Sequence, residues 1–313
     1  MSEAVPRWPA LPLDDWRETK ETLHLWMQMV GKLRLALAPM ANHWWQVSFY
    51  PTARGLTTSA MPYAGGAAEA RFDFLDHVLR IETSDGGRRE LALAPRSVAD
   101  FYFEFIEALR GLGIEAHIVP HPVETPEAIP FAEDEVHRSY DPQAARRFWR
   151  VLVDIAPVFE LWRGRFVGKS SPVHFWWGAF DLACTRFNGR RAPPHPGGVP
   201  NTPDYVMREG YSHECISAGW WPGGGGYEDA AFYAYAWPEP AGLRDAPVAP
   251  AGAFYDRDLG EFLLPYEAVR SEAQPDEAVL AFLESAYAAA AERAGWDRAA
   301  LERPASYDPR SAV

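Results

Sequence analysis

Apolar residues near the amino terminus first recur at helical spacing and then alternate with polar ones. Asp15 and Glu18 form a capping box before the helical pattern, which predicts a first helix that ends before Pro39. Residues 43–93 then alternate between apolar and polar side chains, which predicts four antiparallel strands. Ser97 is typical of a helix N-cap and begins a second predicted helix. The pattern therefore predicts a unit of helix, antiparallel sheet and helix.

A later part of the chain shows the same succession of patterns. Asp141 and Pro142 form a typical helix start, with Asp at the N-cap and Pro in the first turn. Residues 275–294 predict a closing helix from their apolar spacing. Between these helices, alternation predicts strands at residues 173–186, 213–221, 231–237 and 261–265.

Short strings also recur in the same order in both parts of the chain. Val30-Gly31-Lys32 precedes His43-Trp44-Trp45, as Val167-Gly168-Lys169 precedes His174-Phe175-Trp176-Trp177. This recurrence predicts an α+β protein made of two fused copies of one helix–antiparallel sheet–helix module. The predicted divisions are residues 1–120 for the first copy, 121–140 for a linker and 141–313 for the second copy.

The second copy is longer than the first because of an insertion at about residues 188–250. This insertion is rich in Trp, Tyr and His, and long loops in compact domains are usually functional or disordered. We expect it to cover the sheet or the seam between the copies and to carry the site. The first copy retains His43 and a Trp pair but has no His-Glu pair, so we expect it to be the structural half.

The composition is that of a globular protein with an acidic surface. Of its 313 residues, 48% are hydrophobic and 23% are charged, as in ordinary soluble domains. The formal net charge of −13 disfavours nucleic-acid binding. No apolar run is long enough for a membrane span, and Cys184 and Cys215 are too few for a disulfide framework. We therefore expect a cytoplasmic protein whose partner is a small molecule, with neither nucleic acid nor membrane as partner and with its oligomeric state open.

His174, His213 and Glu214 are the candidate metal ligands. Alternate residues of a strand share a face, so the two histidines would meet if their strands were adjacent. With one carboxylate, that of Glu214, they would form a two-His-one-carboxylate site for a divalent metal, iron or zinc. The alternative is that both histidines are buried and hydrogen-bonded to backbone or tyrosine. The alternation predicts two opposite faces: His174, Trp176, Phe180 and Arg186 on one, and Phe175, Trp177 and Asp181 on the other.

The same residues also suit acid–base chemistry without a metal. His174 or His213 would act as the general base. Glu214 or Asp181 would orient that base, and Arg186 would hold an anionic substrate. Nearby aromatic residues and one histidine are expected to line the ligand: Trp176, Trp177, His195, Tyr211, Trp220 and Trp221.

The chain also carries longer strings of mixed polar and aromatic residues. Examples are Asn42-His43-Trp44-Trp45, Leu93-Ala94-Pro95-Arg96-Ser97-Val98, Ser171-Pro172-Val173-His174-Phe175 and Tyr211-Ser212-His213-Glu214. With these strings the chain resembles a bacterial family of unknown function, domain of unknown function 5996. The resemblance extends over nearly the whole chain. It implies one architecture throughout the family, and it brings no activity, cofactor or catalytic residue with it.

Together these patterns favour a cytoplasmic enzyme that acts on a small molecule in a pocket of the second copy. The pocket would be lined by Trp and His, and its reaction would proceed with or without a metal. The alternative is a non-catalytic protein that binds an apolar or sugar-like ligand in an aromatic cleft. Histidines and carboxylates that converge within hydrogen-bond distance would favour the enzyme, and a cleft without them would favour simple binding.

Overall fold

The computed structural model describes residues 5–125 and 128–304 of the chain. Its α-helices in these ranges are α1 (Arg17–Leu37), α2 (Val98–Gly111), α3 (Pro142–Gly164), α4 (Asp204–Gly210), α5 (Tyr266–Arg270), α6 (Pro275–Arg293) and α7 (Arg298–Leu301). Short 3-10 helices lie at Leu13–Asp15, Asn42–Val47, Phe131–Glu133 and Leu243–Asp245. None of the helices in the described ranges combines the length and the apolar character needed to cross a membrane.

The strands form two antiparallel sheets, which confirms the predicted α+β class. The first sheet has the order β1-β2-β4-β5-β6, with β3 paired to β4, and the second has the order β11-β12-β10-β9-β8-β7. The strands of the first sheet are β1 (Tyr50–Pro51), β2 (Gly55–Thr57), β3 (Met61–Tyr63), β4 (Gly66–Asp73), β5 (Val78–Thr83) and β6 (Arg88–Ala92). Those of the second are β7 (His174–Trp176), β8 (Asp181–Arg191), β9 (His213–Trp221), β10 (Ala231–Trp237), β11 (Phe254–Asp256) and β12 (Glu261–Pro265).

The two sheets are joined by backbone and side-chain contacts. Phe49, which directly precedes β1, and Phe175, the middle residue of β7, exchange two backbone hydrogen bonds of 2.8 and 2.9 Å. Trp177 packs against α1 at Gly31, where an added Cβ would lie 2.2 Å from the indole ring. The Trp177 indole N–H donates to the carbonyl of Val47 at 2.7 Å. The sheets therefore share one hydrophobic core, and the duplication suggested by the strings stays a prediction.

One face of the second sheet is buried against helices. Trp220 of β9 is 0% exposed and stacks on Phe148 of α3, with its ring centroid 6.3 Å away. Phe232 of β10 likewise packs on Phe159 of α3. Alternation along the strands sends their remaining residues to the opposite face of the sheet. The expectation that Trp220 and Trp177 line a ligand is therefore wrong, because both are core residues.

Local structure agrees with the sequence at the N-cap of α2 and departs from it at the start of α1 and at the Trp pair. The Ser97 hydroxyl accepts from the backbone N–H of Asp100 at 3.1 Å and caps α2 as predicted. The capping box at Asp15 does not form, since α1 begins after Trp16 without a side-chain cap. The strand predicted from His43 is instead a 3-10 segment, in which His43 and Trp44 have φ of 59° and 61°. These left-handed conformations are uncommon for residues other than glycine.

Candidate functional site

A cavity of about 440 Å³ lies on the face of the second sheet that the helices leave free. Its floor is formed by alternate residues of four strands: Asp181, Ala183, Thr185, Phe187, Cys215, Ser217, Trp221, Tyr233, Tyr235 and Glu261. The rest of the wall comes from the 3-10 segment Asn42–Val47, helix α4, the glycine-rich turn at 224–226 and single residues of other segments, namely Glu124, Trp176, Ala179, Tyr211 and Leu259. Part of the long insertion thus lines the cavity, and so do His43, Trp44 and Trp45 from the first half of the chain.

Aromatic rings make up much of this wall. The ring of Tyr233 stacks on that of Tyr235, with centroids 6.0 Å apart and planes at 13°. The Tyr235 hydroxyl lies 2.5 Å from the hydroxyl of Tyr211, so these phenols hydrogen-bond to each other. Trp221 packs on Tyr233 at 5.4 Å. Each of these rings thus contacts another ring or makes a hydrogen bond within the wall.

Asp181 is the polar centre of the floor. It begins β8 opposite Trp176 of β7, and its carboxyl accepts a hydrogen bond from the Tyr233 hydroxyl through Oδ2. The other oxygen, Oδ1, has no hydrogen-bond partner, although the residue is only 6% exposed. Burial raises the pKa of Asp181 from its ordinary 3.8 to about 7, against the lowering effect of the Tyr233 hydrogen bond. The carboxyl therefore changes its charge near neutral pH.

Glu124 reaches the same cavity from the segment that the sequence marks as a linker. Its backbone is left-handed, with φ of 59°, and its N–H donates to the carbonyl of Pro200 at 2.8 Å. Its carboxyl packs against Gly178, where an added Cβ would lie 2.0 Å from Oε1. Glu124 is accessible from the cavity, yet the surrounding protein raises its pKa to about 7, with the charge of Asp181 as the second cause.

Glu261, the first residue of β12, is the third carboxyl of the wall. Burial raises its pKa to about 8, and the nearby charges of Asp181 and Asp256 act in the same direction. Asp181 thus disfavours ionisation of both glutamates, and a cation placed among the three carboxyls would relieve that repulsion.

His43 is the histidine of the wall, and its environment fixes its protonation. Its Nε2 lies 3.0 Å from the ammonium of Lys169, and its Nδ1 lies 2.9 Å from the carbonyl of Gly210. An ammonium only donates, so Nε2 accepts and the proton of the neutral ring sits on Nδ1, which donates to Gly210. Burial lowers the pKa of His43, with the charge of Lys169 as a further cause. His43 is therefore neutral, and it belongs to the half of the chain that the sequence marks as structural.

The expectation that His174 and His213 meet is wrong. Strand β8 lies between β7 and β9, and His174 faces Ala183 whereas His213 faces Arg191, near the other end of β8. His174 is fully buried among aromatic rings with neither ring nitrogen hydrogen-bonded, and burial lowers its pKa to about 3. No group of three or more His, Cys, Asp or Glu placed to hold a metal occurs in the described ranges.

Glu214 and Arg186 also lie away from the cavity. Glu214 accepts from the guanidinium of Arg190 and from the side-chain amide of Asn188, so its carboxylate is committed to the other face of β9. Arg186 is buried in the core, where its guanidinium lies 3.8 Å from the ring centroid of Trp162. Neither the orienting role of Glu214 nor the substrate-holding role of Arg186 fits these positions.

Asp181 shares a face with His174 and Trp176 instead of facing away from them as predicted. Strand β8 pairs with β7 so that Trp176 faces Asp181 and His174 faces Ala183. Residues 177–180 form a turn, and the alternation therefore restarts after it. Of the expected ligand-lining residues, Trp176, Tyr211 and Trp221 line the cavity, while His195 stacks behind Tyr211 with ring centroids 4.8 Å apart.

Several lining residues escape the sequence-based prediction. Tyr233 and Tyr235 alternate with alanine along β10, and this period-2 signal points to one shared face. The neighbouring tryptophans Trp44 and Trp45 stand out as a pair in the sequence, but no local pattern places them at a site formed mainly by the second half of the chain. Glu124 carries no local signal, because only the folded path of residues 120–125 brings it to Asp181.

The chain belongs to a family of unknown function, DUF5996, whose model matches residues 8–303. The resemblance seen in the sequence strings is therefore confirmed over nearly the whole chain. A comparison with curated proteins and one with solved structures found no match. The geometry of the cavity is thus the basis for inferring the function.

Proposed function

We propose that this protein binds a small molecule in the aromatic cavity above the second sheet. One observation carries the proposal: a cavity of about 440 Å³ whose floor presents Asp181 with an unpartnered buried oxygen. Small-molecule sites are typically clefts of about 300–1,000 Å³, lined by apolar and aromatic groups with a few placed polar groups. The cavity has this size and this lining.

The unpartnered oxygen supports the proposal energetically. A buried acceptor left without a hydrogen bond destabilises a fold by roughly 1–3 kcal/mol. Tyr233 satisfies Oδ2 of Asp181, a residue that lines the cavity, and leaves Oδ1 buried without a hydrogen-bond partner among the described residues. A ligand that donates a hydrogen bond to Oδ1 would recover this free energy, and that gain would add to the affinity.

A second candidate function is an acid–base enzyme that uses the same cavity. The pKa of Asp181 is raised to about 7, at which a carboxyl can accept and release protons efficiently. The pKa of Glu124, an exposed residue of the same wall, is shifted in the same direction. A carboxyl with such a shift in an aromatic cavity is typical of catalytic sites, although ion clusters with a purely structural role also shift pKa values. In this function Asp181 would transfer the proton, and the hydrogen bond from Tyr233 would orient its carboxyl.

A cytoplasmic location is part of the proposal. Cys184 and Cys215 are both buried free thiols, as is usual in a reducing compartment. Cell fractionation of the tagged full chain should recover it with cytoplasmic markers, and recovery with secreted proteins would contradict this location.

Ligand-induced thermal shift with a chemically mixed library tests the proposed function. The library contains cations, anions, sugars and neutral apolar compounds, and it is screened against the full chain and two variants. Trp221→Ala removes a ring from the cavity wall, and Glu214→Gln changes a carboxylate outside it. We expect at least one class of compound to raise the melting temperature of the wild type and of Glu214→Gln, and to act weakly on Trp221→Ala. Equal shifts in all three proteins, or none, would contradict binding in this cavity.

Turnover distinguishes the two candidate functions once a binding class is known. Hits are incubated with wild type and Asp181→Asn, and products are followed by NMR. A rate of product formation that depends on Asp181 and decreases when the pH is lowered below about 7 would support the enzyme. A ligand that saturates the cavity and is recovered chemically unchanged would support simple binding.

A further inference from the structure

We propose that the ligand of this cavity is an organic cation, a protonated amine with apolar substituents and at least one N–H. This inference rests on the proposed function, because it names the class of molecule that the same cavity binds. It follows from three independent features of the wall: its charge, its aromatic faces and its unpartnered acceptor.

Apart from the neutral His43, the ionisable side chains of the lining are carboxyls, phenols and a thiol. Asp181, Glu124 and Glu261 contribute three carboxyls, and the lining side chains of the described residues include neither lysine nor arginine. Two lysine ammonium groups hydrogen-bond to residues beside the cavity and are not themselves part of its lining. Lys169 hydrogen-bonds to His43, and Lys20 donates to the carbonyl of Gly223. Such a lining favours a cation and repels an anion.

The aromatic faces favour the same charge. A cation within about 6 Å of a ring centroid is attracted by the negative face of the ring, most strongly by tryptophan. The fold already makes such a contact at the cavity wall, since the ammonium of Lys169 lies 5.2 Å from the ring centroid of Trp45 and 5.4 Å from that of Phe187. Trp176, Trp221 and Tyr233 present further rings near Asp181 without a cation of their own.

The unpartnered oxygen selects among organic cations. Asp181 Oδ1 is an acceptor without a partner in a residue more than nine-tenths buried, so a hydrogen-bond donor is needed to satisfy it, and in an ammonium ion that donor is an N–H. A quaternary ammonium ion has the charge but no N–H. A protonated amine has both, and its apolar substituents would contact the rings. The structure thus favours a primary, secondary or tertiary amine over a quaternary one.

The same groups make the affinity depend on pH. Three ionisable groups face Asp181: Tyr233 of β10, Glu124 of residues 120–125 and Glu261 of β12. Glu261 in turn lies near Asp256. His43 and Lys169 are neighbours at the wall, beside Glu209. The pKa of Asp181 is raised to about 7, so its carboxylate form grows between pH 6 and 8. For one such group the affinity for a cation should rise about tenfold over that interval.

Calorimetric titration of the full chain with three matched probes tests the inference. The probes are benzyldimethylamine, which is protonated at pH 8, benzyltrimethylammonium, and the neutral N,N-dimethylbenzamide. We expect the amine to bind at least tenfold more tightly than the amide, with the quaternary ion in between. Asp181→Asn and Glu124→Gln should each reduce the affinity for the amine by about tenfold and leave that for the amide unchanged. Glu214→Gln is the matched control and should bind like the wild type.

The outcomes separate this inference from the proposed function. If the amide binds as tightly as the amine, or if the carboxyl variants bind the amine like the wild type, the cation inference is overturned while binding in the cavity stands. If the quaternary ion binds more tightly than the amine, the assigned N–H contact to Asp181 is overturned. If none of the probes and no library compound binds, the proposed function fails as well. Circular dichroism of each variant checks its folding, and Glu124→Gln serves where Asp181→Asn is unfolded.

Discussion

Replacing Asp181 with asparagine should stabilise the protein at alkaline pH. The pKa of Asp181 rises from 3.8 to about 7 because burial disfavours its charged form. In the unfolded chain the carboxyl ionises near pH 4, whereas in the folded protein it keeps its proton to near pH 7. Stability is therefore lost as the pH rises between these values and stays constant above them. At about 1.4 kcal/mol per pKa unit, the loss amounts to about 4 kcal/mol.

The assay is urea unfolding of wild type and Asp181→Asn at pH 5 and pH 8. At pH 5 the wild type has already lost the stability that corresponds to about one pKa unit. The variant should therefore gain about 3 kcal/mol of unfolding free energy relative to wild type between pH 5 and pH 8. Asparagine keeps an oxygen that accepts from Tyr233, so effects that do not depend on ionisation cancel in this difference. Loss of the Asp181 charge also lowers the pKa of Glu124 and Glu261, which adds to the gain. A difference below 1 kcal/mol would refute the assigned pKa and its cause.

Three further predictions concern the core and the caps, each measured by urea unfolding. Gly31→Ala should destabilise the protein by about 1–3 kcal/mol, because the new Cβ would overlap the Trp177 ring. His174→Phe should remove an acid-sensitive group: the pKa of His174 is lowered from 6.5 to about 3 by burial, so its contribution to stability is lost as the pH falls below 6.5. The variant should therefore lose about 2 kcal/mol less than wild type between pH 7 and pH 5. Ser97→Ala should destabilise the protein by about 1 kcal/mol, because the N-cap of α2 is lost.

Matched variants control these three predictions. Gly164→Ala lies at the end of α3, where an added Cβ meets no atom within 4 Å, and should leave stability nearly unchanged. His121 is exposed, so its replacement by phenylalanine should not reproduce the acid effect of His174→Phe. Ser97→Asp keeps a capping oxygen and should retain most of the stability of wild type. Equal effects in a variant and its control would show that the assigned contact is not the cause.

The sequence predicts the elements of this fold better than their faces. Local chemistry marks Ser97 and Asp141 as N-caps, and both side chains accept the expected backbone hydrogen bonds. The antiparallel sheets follow from period-2 patterns in the same way. The predicted face of Asp181 is wrong because a turn between β7 and β8 restarts the alternation, and a change of one residue moves every side chain to the opposite face.

The site itself depends on pairings that no local pattern contains. His174 and His213 look like partners because each lies on a predicted strand and the two would meet if those strands were adjacent, but β8 lies between the strands. Glu124 reaches Asp181 from an irregular segment, which hydrogen bonds between Gln28 and Val123 tie to α1. Contacts between residues this far apart in the chain are set by the packing of the whole core. Local sequence patterns predict only the aromatic character of the site, through the Trp pairs and the alternating tyrosines of β10.

The backbone pairing of Phe49 with Phe175 also bears on how chains of this protein avoid one another. A free sheet edge presents N–H and C=O groups to which a strand of another molecule can add. Here the inner edges of the two sheets satisfy each other at this point. The outer edges are β11, which is only three residues long, and β6, which begins with the charged run Arg88-Arg89-Glu90. Short and charged edges resist intermolecular strand addition. A half of the chain expressed alone would uncover an inner edge, and we expect it to self-associate more strongly than the intact chain.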